Sequence, residues 1–178
     1  YIHTGAKDVV IEGTRVANAR KTGLQIYGQT VGATIGPVRV SRCIFEYCQA
    51  GLTISNYPGG ASRATDIMIE ECDFVNSTGG SSVQIRHGDG IRFERNLIRG
   101  NAGAIGLMLG HWATWEAGWG VLTGLVARDN VIDSVAYGIY PLASNGGRFV
   151  SSVVSGNRIT NSPRPYWGEP IPGLEIIP

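Results

Sequence analysis

Short stretches in which apolar residues alternate with polar ones recur along the whole chain. Six segments of eight residues share one order: apolar, variable, apolar, two variable positions, a small or amide residue, variable, apolar. They cover residues 9–16, 38–45, 67–74, 91–98, 125–132 and 152–159, with Ala127 and Ser152 as small or polar exceptions. A period of two residues is typical of strands that bury one face.

The sixth position of these segments forms a regular series: Thr14, Cys43, Cys72, Asn96, Asn130 and Asn157, at spacings of 29, 29, 24, 34 and 27 residues. Eight to ten residues after each of the first five segments comes another short apolar strand opened by a small residue. These strands begin at Gly23, Gly51, Ser82, Gly106 and Gly138, and a sixth is predicted at Gly173 after a proline-rich detour over residues 162–172. We call them the Gly-led strands.

A repeat of this length that already carries three short strands has no room for a helix. It predicts an all-β fold, a single-stranded parallel β-helix of about six coils that forms one domain over residues 1–178. One coil cannot bury its own apolar face, so coils stack at the strand spacing of about 4.8 Å and share a core. An inward asparagine at the turn would bond to the next coil. A sandwich of hairpins would instead show strands every 8–12 residues.

This pattern resembles the right-handed parallel β-helix superfamily, the pectate-lyase-like fold. The resemblance implies that the asparagine ladder lies between the second and third sheets and that the Gly-led strands form the first sheet. It also implies an extracellular or periplasmic location. The chain opens at Tyr1 with no recognisable signal peptide, and we expect it to be a piece of a longer protein or a mature chain cut from a precursor.

Alternation along the Gly-led strands predicts which side chains face outward. Leu24, Ile26, Leu52, Ile54, Val83, Ile85, Leu107 and Leu109 are expected to point inward. One outward column is Gln25, Thr53, Gln84, Met108, Tyr140 and Glu175, and the other is Tyr27, Ser55, Arg86, Gly110, Leu142 and Ile177. Arg86 would then lie between Ser55 and Gly110, with space beside the glycine for a ligand.

Composition excludes two classes of function. The 15 basic and 14 acidic side chains leave a net charge of +1 with no run of like charge, which argues against a nucleic-acid partner. Apolar stretches fall far short of the ~18 residues of a membrane span. The 26 glycines and the charged fraction of 16% are typical of a turn-rich β protein.

An insertion over residues 111–124 carries three tryptophans, Trp112, Trp115 and Trp119. Flat aromatic rings in a surface loop suggest a platform for sugar rings, although the same rings would also serve as a local core. His87 and His111 occupy equivalent positions in successive coils, so we expect them to be neighbours, either as an acid/base pair or as turn residues.

The run at residues 82–88, ending in Arg86-His87-Gly88, resembles the strand end of chondroitinase B and the related alginate lyases. The resemblance implies that Arg86 is catalytic. In that family a lysine on the preceding coil removes the C5 proton of the uronic acid, but here the lysines are Lys7 and Lys21.

The base would therefore be His87, His111, Tyr27 or Tyr57, an arrangement similar to that of β-helical mannuronate C5-epimerases, whose Asp-Pro-His motif is absent. Hydrolysis needs two carboxylates, for which Asp89 and Glu116 are the available pair.

No cofactor is predicted, and a calcium ion at Asp89 is the one metal site considered. Cys43 and Cys72 are expected to be buried in adjacent coils, at a spacing that would not forbid a bridge. Arg42, Arg95 and Asp129 are expected to be solvated turn residues.

The sequence thus favours an enzyme that modifies an acidic polysaccharide by β-elimination or C5-epimerisation. Arg86 would neutralise the carboxylate, and His87, His111 and Tyr57 would transfer protons. The remaining predicted substrate-binding residues are Tyr27, Gln84, Asp89, Trp112, Trp115 and Trp119. The alternative is a non-catalytic glycan-binding β-helix of a tailspike or adhesin, for which Leu142 and Ile177 hint at an outward apolar patch. The sequence leaves the oligomeric state open.

Overall fold

The structure is a computed structural model that describes residues 1–30, 32–56, 63–111, 121–143, 147–168 and 170–177. The described residues form twenty-three strands. In chain order they are β1 (Ile2–His3), β2 (Val9–Glu12), β3 (Arg15–Ala17), β4 (Thr22–Gly28), β5 (Thr34–Ile35), β6 (Val38–Ser41), β7 (Ile44–Glu46), β8 (Ala50–Asn56), β9 (Arg63–Ala64), β10 (Ile67–Glu70), β11 (Asp73–Val75), β12 (Ser81–Ile85), β13 (Gly88–Asp89), β14 (Arg92–Glu94), β15 (Leu97–His111), β16 (Val121–Thr123), β17 (Val126–Arg128), β18 (Val131–Ala143), β19 (Arg148–Val150), β20 (Ser152–Ser155), β21 (Arg158–Thr160), β22 (Arg164–Tyr166) and β23 (Leu174–Ile177).

Every strand pairs with the equivalent strand one coil away, and these pairings are parallel. A seven-stranded sheet runs β2-β6-β10-β14-β17-β20-β23. An eleven-stranded sheet contains both the strands that follow the ladder positions and the Gly-led strands, because β15 and β18 continue through the corner between them. Among the described residues, no helix is long and apolar enough to cross a membrane. The predicted parallel β-helix is confirmed.

The register of the seven-stranded sheet reproduces the spacing of the repeat. Val9 pairs with Val38 and Val38 with Ile67, which are the same steps along the chain as those between Thr14, Cys43 and Cys72. Met68 pairs with Arg92, the shorter step that also separates Cys72 from Asn96. We number the coils one to six by their ladder residues, from Thr14 in the first to Asn157 in the sixth.

The ladder residues bond between coils as predicted. Asn130 Oδ1 accepts the backbone N–H of Asn96 at 2.9 Å, and Asn96 Oδ1 accepts that of Cys72 at 3.0 Å. The Cys72 thiol donates to the Val40 carbonyl at 3.7 Å, in the place where Asn96 donates from Nδ2 to Ile69. The cysteines are free and buried, and burial raises the pKa of Cys72 to about 12.

The small residues that open the Gly-led strands make room for core side chains. A Cβ on Gly51 would lie 2.5 Å from Phe74 Cδ1, and one on Gly106 would lie 2.8 Å from Ile132 Cγ2. Phe74 in turn stacks on Phe45 with ring centroids 5.2 Å apart. The glycines therefore let a core side chain of the next coil pack against the strand backbone.

Two corners of each coil have one residue with a positive φ. The corner before the ladder has φ of 53° to 61° and is formed by Gly13, Arg42, Glu71, Arg95, Asp129 and Gly156. A second corner is formed by Asn18, Tyr47, Asn76, Gly100, Ser134 and Asn161. Gly, Asn and Asp tolerate this conformation best, which explains their enrichment at the corners.

Arginines and glutamates cover the outer face of the seven-stranded sheet. Glu70 accepts hydrogen bonds from Arg39, at 2.9 Å, and from Arg95. Glu94 contacts Arg92 at 2.7 Å and Arg128 at 3.2 Å. The turn positions expected for Arg42, Arg95 and Asp129 are confirmed, but solvation is an incomplete account of them. Arg42 pairs with Glu12 and Arg95 with three glutamates, because the corners bring alternating charges to neighbouring coils.

The prediction of a sixth Gly-led strand at Gly173 is wrong. Residues Leu174–Ile177 pair with Ser152–Ser155 and so belong to the seven-stranded sheet. The strand of the sixth coil is β22, within the segment predicted as a detour, with Tyr137 paired to Arg164. Consequently neither Glu175 nor Ile177 extends the outward columns, and Ile177 does not join Leu142 in the apolar patch that the sequence suggested.

Candidate functional site

The outer face of the Gly-led strands, which we call the Gly-led face, changes character along the axis. The predicted inward residues are all buried. In the outward column Thr53 pairs with both Gln25 and Gln84, and Gln84 with Met108. Met108 pairs with Tyr140, after which Trp167 donates its backbone N–H to Ile139 and takes the place predicted for Glu175. The face is polar in coils one to three and aromatic in coils five and six.

Arg86 lies where the third coil leaves this face. Its backbone N–H donates to the Ile54 carbonyl at 2.9 Å, which places it beside Ser55 as predicted. The guanidinium donates to Gln84 Oε1, while Nε is buried without a partner among the described residues. Burial lowers the pKa of Arg86 below its ordinary value. In the described part of the chain, no carboxylate neutralises this half-buried cation.

His87 follows directly and is also half-buried. Its Nδ1 is buried and has no partner in the described ranges. Burial, and then the positive charge of Arg63, lower the pKa of His87. The imidazole is therefore neutral at neutral pH and is able to accept a proton.

Two charged residues, Arg63 and Asp89, lie near His87 in adjacent coils. Thr65 and Asp89 form a parallel bridge, so Arg63 and His87 are equivalent positions in adjacent coils. Arg63 NH1 lies 3.8 Å from Asp89 Oδ2, a long and partly exposed ion pair. Such a pair contributes little to stability, and Arg63 keeps donors free for an anionic ligand.

The corner at Arg86 and His87 is shorter than its neighbours. In the third coil these two residues are the whole connection between β12 and β13. At the same corner, residues 57–62 separate β8 from β9 along the chain and residues 112–120 separate β15 from β16; both stretches lie outside the described residues. Tyr57 and the predicted tryptophan platform of Trp112, Trp115 and Trp119 lie outside the described residues.

Two further predicted neighbours are placed by the backbone. His111 ends β15, two residues after Leu109, which pairs with Ile85. Its backbone thus corresponds to His87 one coil away, as predicted, while its side chain lies outside the described part. Tyr27 pairs with Ser55 in the same outward column as Arg86.

Gly110 does not provide the open space that the sequence suggested. It is buried with φ of +90°, and a Cβ there would lie 1.9 Å from the Leu142 carbonyl oxygen. The glycine is required by the close approach of the next coil. The neighbours of Arg86 on this face are Gln84, which accepts a hydrogen bond from its guanidinium, and Ser55, which is buried.

The described residues contain no group of three or more His, Cys, Asp or Glu side chains placed to hold a metal ion. Asp89, considered for calcium, lies beside Arg63 instead. The candidate site is thus a corner with two neighbouring groups of side chains. Arg86 contacts Gln84, and His87 lies within the field of Arg63, which pairs with Asp89.

Sequence reasoning missed Arg63 because the short strands β5, β9, β13, β16 and β19 that close each coil carry too little pattern to be seen. It also missed the aromatic residues of the sixth coil. The spacing of the repeat could have placed them, because Tyr137 and Arg164 are 27 residues apart, as are the ladder residues Asn130 and Asn157 of the same two coils.

Residues 2–169 match the family model described as right handed beta helix region, and the chain belongs to this family. The family defines an architecture rather than one reaction. No match was found among curated proteins. A solved structure of QnrB1, described as a plasmid-mediated fluoroquinolone resistance protein, is 16% identical over 94% of this chain and 91% of that one. Its TM-score is 0.23, so this likeness carries no argument.

Proposed function

We propose that the protein modifies an acidic, uronate-containing polysaccharide at the Arg86–His87 corner, by β-elimination or C5-epimerisation. The observation that carries the proposal is the half-buried Arg86 guanidinium, which has no carboxylate partner among the described residues and is followed in the chain by the neutral imidazole of His87. A binding site for a carboxylate needs the first group, and proton abstraction needs the second.

Arg86 is the group that would hold the uronate carboxylate. Its guanidinium can form two parallel hydrogen bonds to a carboxylate, and its burial strengthens the interaction. The positive charge of Arg86 also stabilises the negative charge that develops on the carboxylate when the C5 proton leaves. Arg63, partly exposed and weakly paired, would contact a neighbouring anionic group.

His87 would act as the base. In β-elimination its imidazole takes the C5 proton, the electron pair of that C–H bond forms the C4–C5 double bond, and the C4–O bond breaks. The imidazolium then returns its proton to the leaving oxygen, so the histidine ends unchanged. In epimerisation the C4–O bond stays intact, and the electron pair left on C5 takes a proton from a second acid or water on the opposite face. The imidazolium then loses the abstracted proton to water, which also restores the second acid.

The test is incubation of the protein with alginate, pectate, chondroitin sulfate, dermatan sulfate and glucuronan. Elimination gives a rise in the ultraviolet absorbance of the unsaturated uronate, and epimerisation in deuterated water gives deuterium at C5. We expect Arg86→Ala to lower kcat/KM by about 100-fold or more. His87→Gln should lower kcat while leaving KM nearly unchanged. Arg158→Ala, an exposed arginine on β21, is the control and should match the wild type.

An absence of both signals on every polymer would overturn the enzymatic proposal. If the same polymers still bind and Arg86→Ala abolishes binding, the protein is a non-catalytic glycan-binding β-helix, as in the tailspike or adhesin alternative.

A further inference from the structure

An aromatic and cationic cluster lies at the C-terminal end of the Gly-led face, away from the candidate site. The Trp167 ring centroid is 4.3 Å from that of Tyr137 and 5.7 Å from that of Tyr140. The Arg164 guanidinium carbon lies 4.1 Å from the Trp167 centroid and 5.3 Å from that of Tyr137. Arg164 NH1 also donates to the Tyr137 hydroxyl at 3.3 Å.

These side chains contact one another but remain accessible to solvent. Trp167 is 37% exposed, Arg164 is exposed, and both tyrosines are half-buried. Stacking on two rings holds the Arg164 guanidinium in place, which lowers the entropy cost of binding an anion. Among the described residues Arg164 has no carboxylate partner. The Arg–Glu lattice on the seven-stranded sheet, by contrast, pairs its arginines.

We propose that Arg164, Trp167 and Tyr137 form a second subsite for the same acidic glycan, one that binds a sugar ring and its carboxylate beyond the reacting unit. This inference rests on the proposed function. Arg164 covers one face of the Trp167 ring, so the part of the ring that remains exposed would contact the apolar face of a pyranose. Arg164 would bind the carboxylate of that unit or of its neighbour.

The distance between the two sites sets the length of the ligand. Gln84, Met108 and Tyr140 follow one another in register, and Trp167 comes in the next coil. Three coil steps at the strand spacing separate Arg86 from Trp167 along the axis, about 14 Å. A disaccharide bound at Arg86 is too short to contact both ends of the face, whereas an octasaccharide can lie along it.

The test compares binding of a uronate disaccharide and a uronate octasaccharide, both cut from the polymer that the wild type binds, by isothermal titration calorimetry. We expect Trp167→Ala to weaken octasaccharide binding about tenfold and to leave disaccharide binding unchanged. Arg164→Gln should behave similarly, and Trp167→Phe should retain most of the affinity. Tyr47→Ala, an exposed aromatic residue on another corner, is the matched control.

Unchanged octasaccharide binding in both Trp167→Ala and Arg164→Gln would overturn the subsite, as would equal losses for the two ligands. Arg86→Ala separates this result from a failure of the proposed function. If Arg86→Ala weakens both ligands while the other two variants match the wild type, the uronate site at Arg86 stands and the subsite falls. If the wild type binds no uronate oligosaccharide, both proposals fall together. Arg164→Gln keeps the inference testable should Trp167→Ala fail to fold.

Discussion

Asn130 and Asn96 lie in successive coils, far apart in the chain, but are joined by two hydrogen bonds. Asn130 Oδ1 accepts from the Asn96 backbone N–H at 2.9 Å and from Asn96 Nδ2 at 3.1 Å. Asn130 Nδ2 donates to the Phe93 carbonyl at 3.0 Å and to Asn157 Oδ1 at 2.8 Å. One buried amide thus satisfies polar groups in both neighbouring coils, at a corner that the sheet leaves unpaired.

We therefore expect Asn130→Ala to lower the free energy of unfolding by about 3 kcal/mol or more, because it leaves several buried donors and acceptors unpaired. Urea denaturation followed by circular dichroism measures the loss. Asn130→Cys is the matched variant, since Cys43 and Cys72 occupy this position in other coils. Its thiol keeps the donor but lacks the amide acceptor, so an intermediate loss is expected. If Asn130→Cys lowers the free energy of unfolding as much as Asn130→Ala does, the hydrogen bond from the thiol does not stabilise the fold.

Ser82 occupies the position that is glycine in neighbouring coils, since Val83 pairs with both Leu52 and Leu107. It is fully buried, and its hydroxyl has no partner in the part of the chain that the structure describes. Ser82→Ala should raise the free energy of unfolding by about 1 kcal/mol, because it removes an unpaired buried hydroxyl.

Ser152→Ala is the opposite control for the same denaturation experiment. The Ser152 hydroxyl donates toward the Leu122 and Val150 carbonyls at 3.2 Å and accepts from the Leu125 N–H at 3.3 Å. Its loss should destabilise the fold. Equal effects of the two serine variants would contradict the assignment of Ser82 as an unpaired group.

Glu94 is the most buried carboxylate of the charged lattice, with 3% of the residue exposed. Burial alone would raise its pKa, but the hydrogen bond from Arg128 and the charge of Arg92 outweigh burial and lower it. Glu94→Gln should cost about 2 kcal/mol of stability, since it leaves three arginines close together. Glu71→Gln removes a half-exposed partner of Arg95 and should change stability by less than about 0.5 kcal/mol.

The lowered pKa also gives a sign for pH dependence. The stabilisation by Glu94 is complete above the ordinary glutamate pKa of 4.5 and is lost as the pH falls through the lower pKa of the folded protein. Thermal unfolding of the wild type and of Glu94→Gln should therefore converge in acid. A difference that stays constant down to low pH would exclude the ionised carboxylate as its source.

The fold could be predicted from the sequence because a solenoid repeats the same local pattern in each coil. Thr14 through Asn157 recur at a spacing that the strand register then reproduces. The prediction went wrong in the sixth coil, where β22 has the sequence Arg-Pro-Tyr and lacks the small residue and apolar alternation of the other Gly-led strands.

The candidate site was less predictable, because its chemistry depends on contacts between coils. Arg86 and His87 could be singled out as outward residues at a corner. The lowered pKa of His87 depends on burial and on Arg63, which lies one full coil earlier in the chain, on the short strand β9. The alternation of apolar and polar residues predicts which way a side chain points, but it does not predict which charged residue lies next to it in the adjacent coil.

The effect of the Arg63 charge on the pKa of His87, the proposed base, can be tested. Because burial and then Arg63 lower the pKa of His87 below 6.5, more than half of the imidazole should be neutral at pH 6.5, and most of the activity should remain there. Activity should be lost at lower pH, as the histidine takes up a proton. Arg63→Gln removes the positive charge, so the pKa of His87 should rise and the acid limb of kcat/KM should move to higher pH. Burial remains, so the midpoint should stay below 6.5.

The shift can be measured twice, from the pH profile of kcat/KM and from the NMR titration of the His87 Cε1 proton, which needs no substrate. Arg158→Gln removes an exposed arginine on a different strand, and its profile and titration should superimpose on those of the wild type. If Arg63→Gln moves the NMR titration but not the kinetic limb, His87 is not the base. If neither moves, Arg63 does not act on His87, because a charge that lowers a pKa must raise it again when removed.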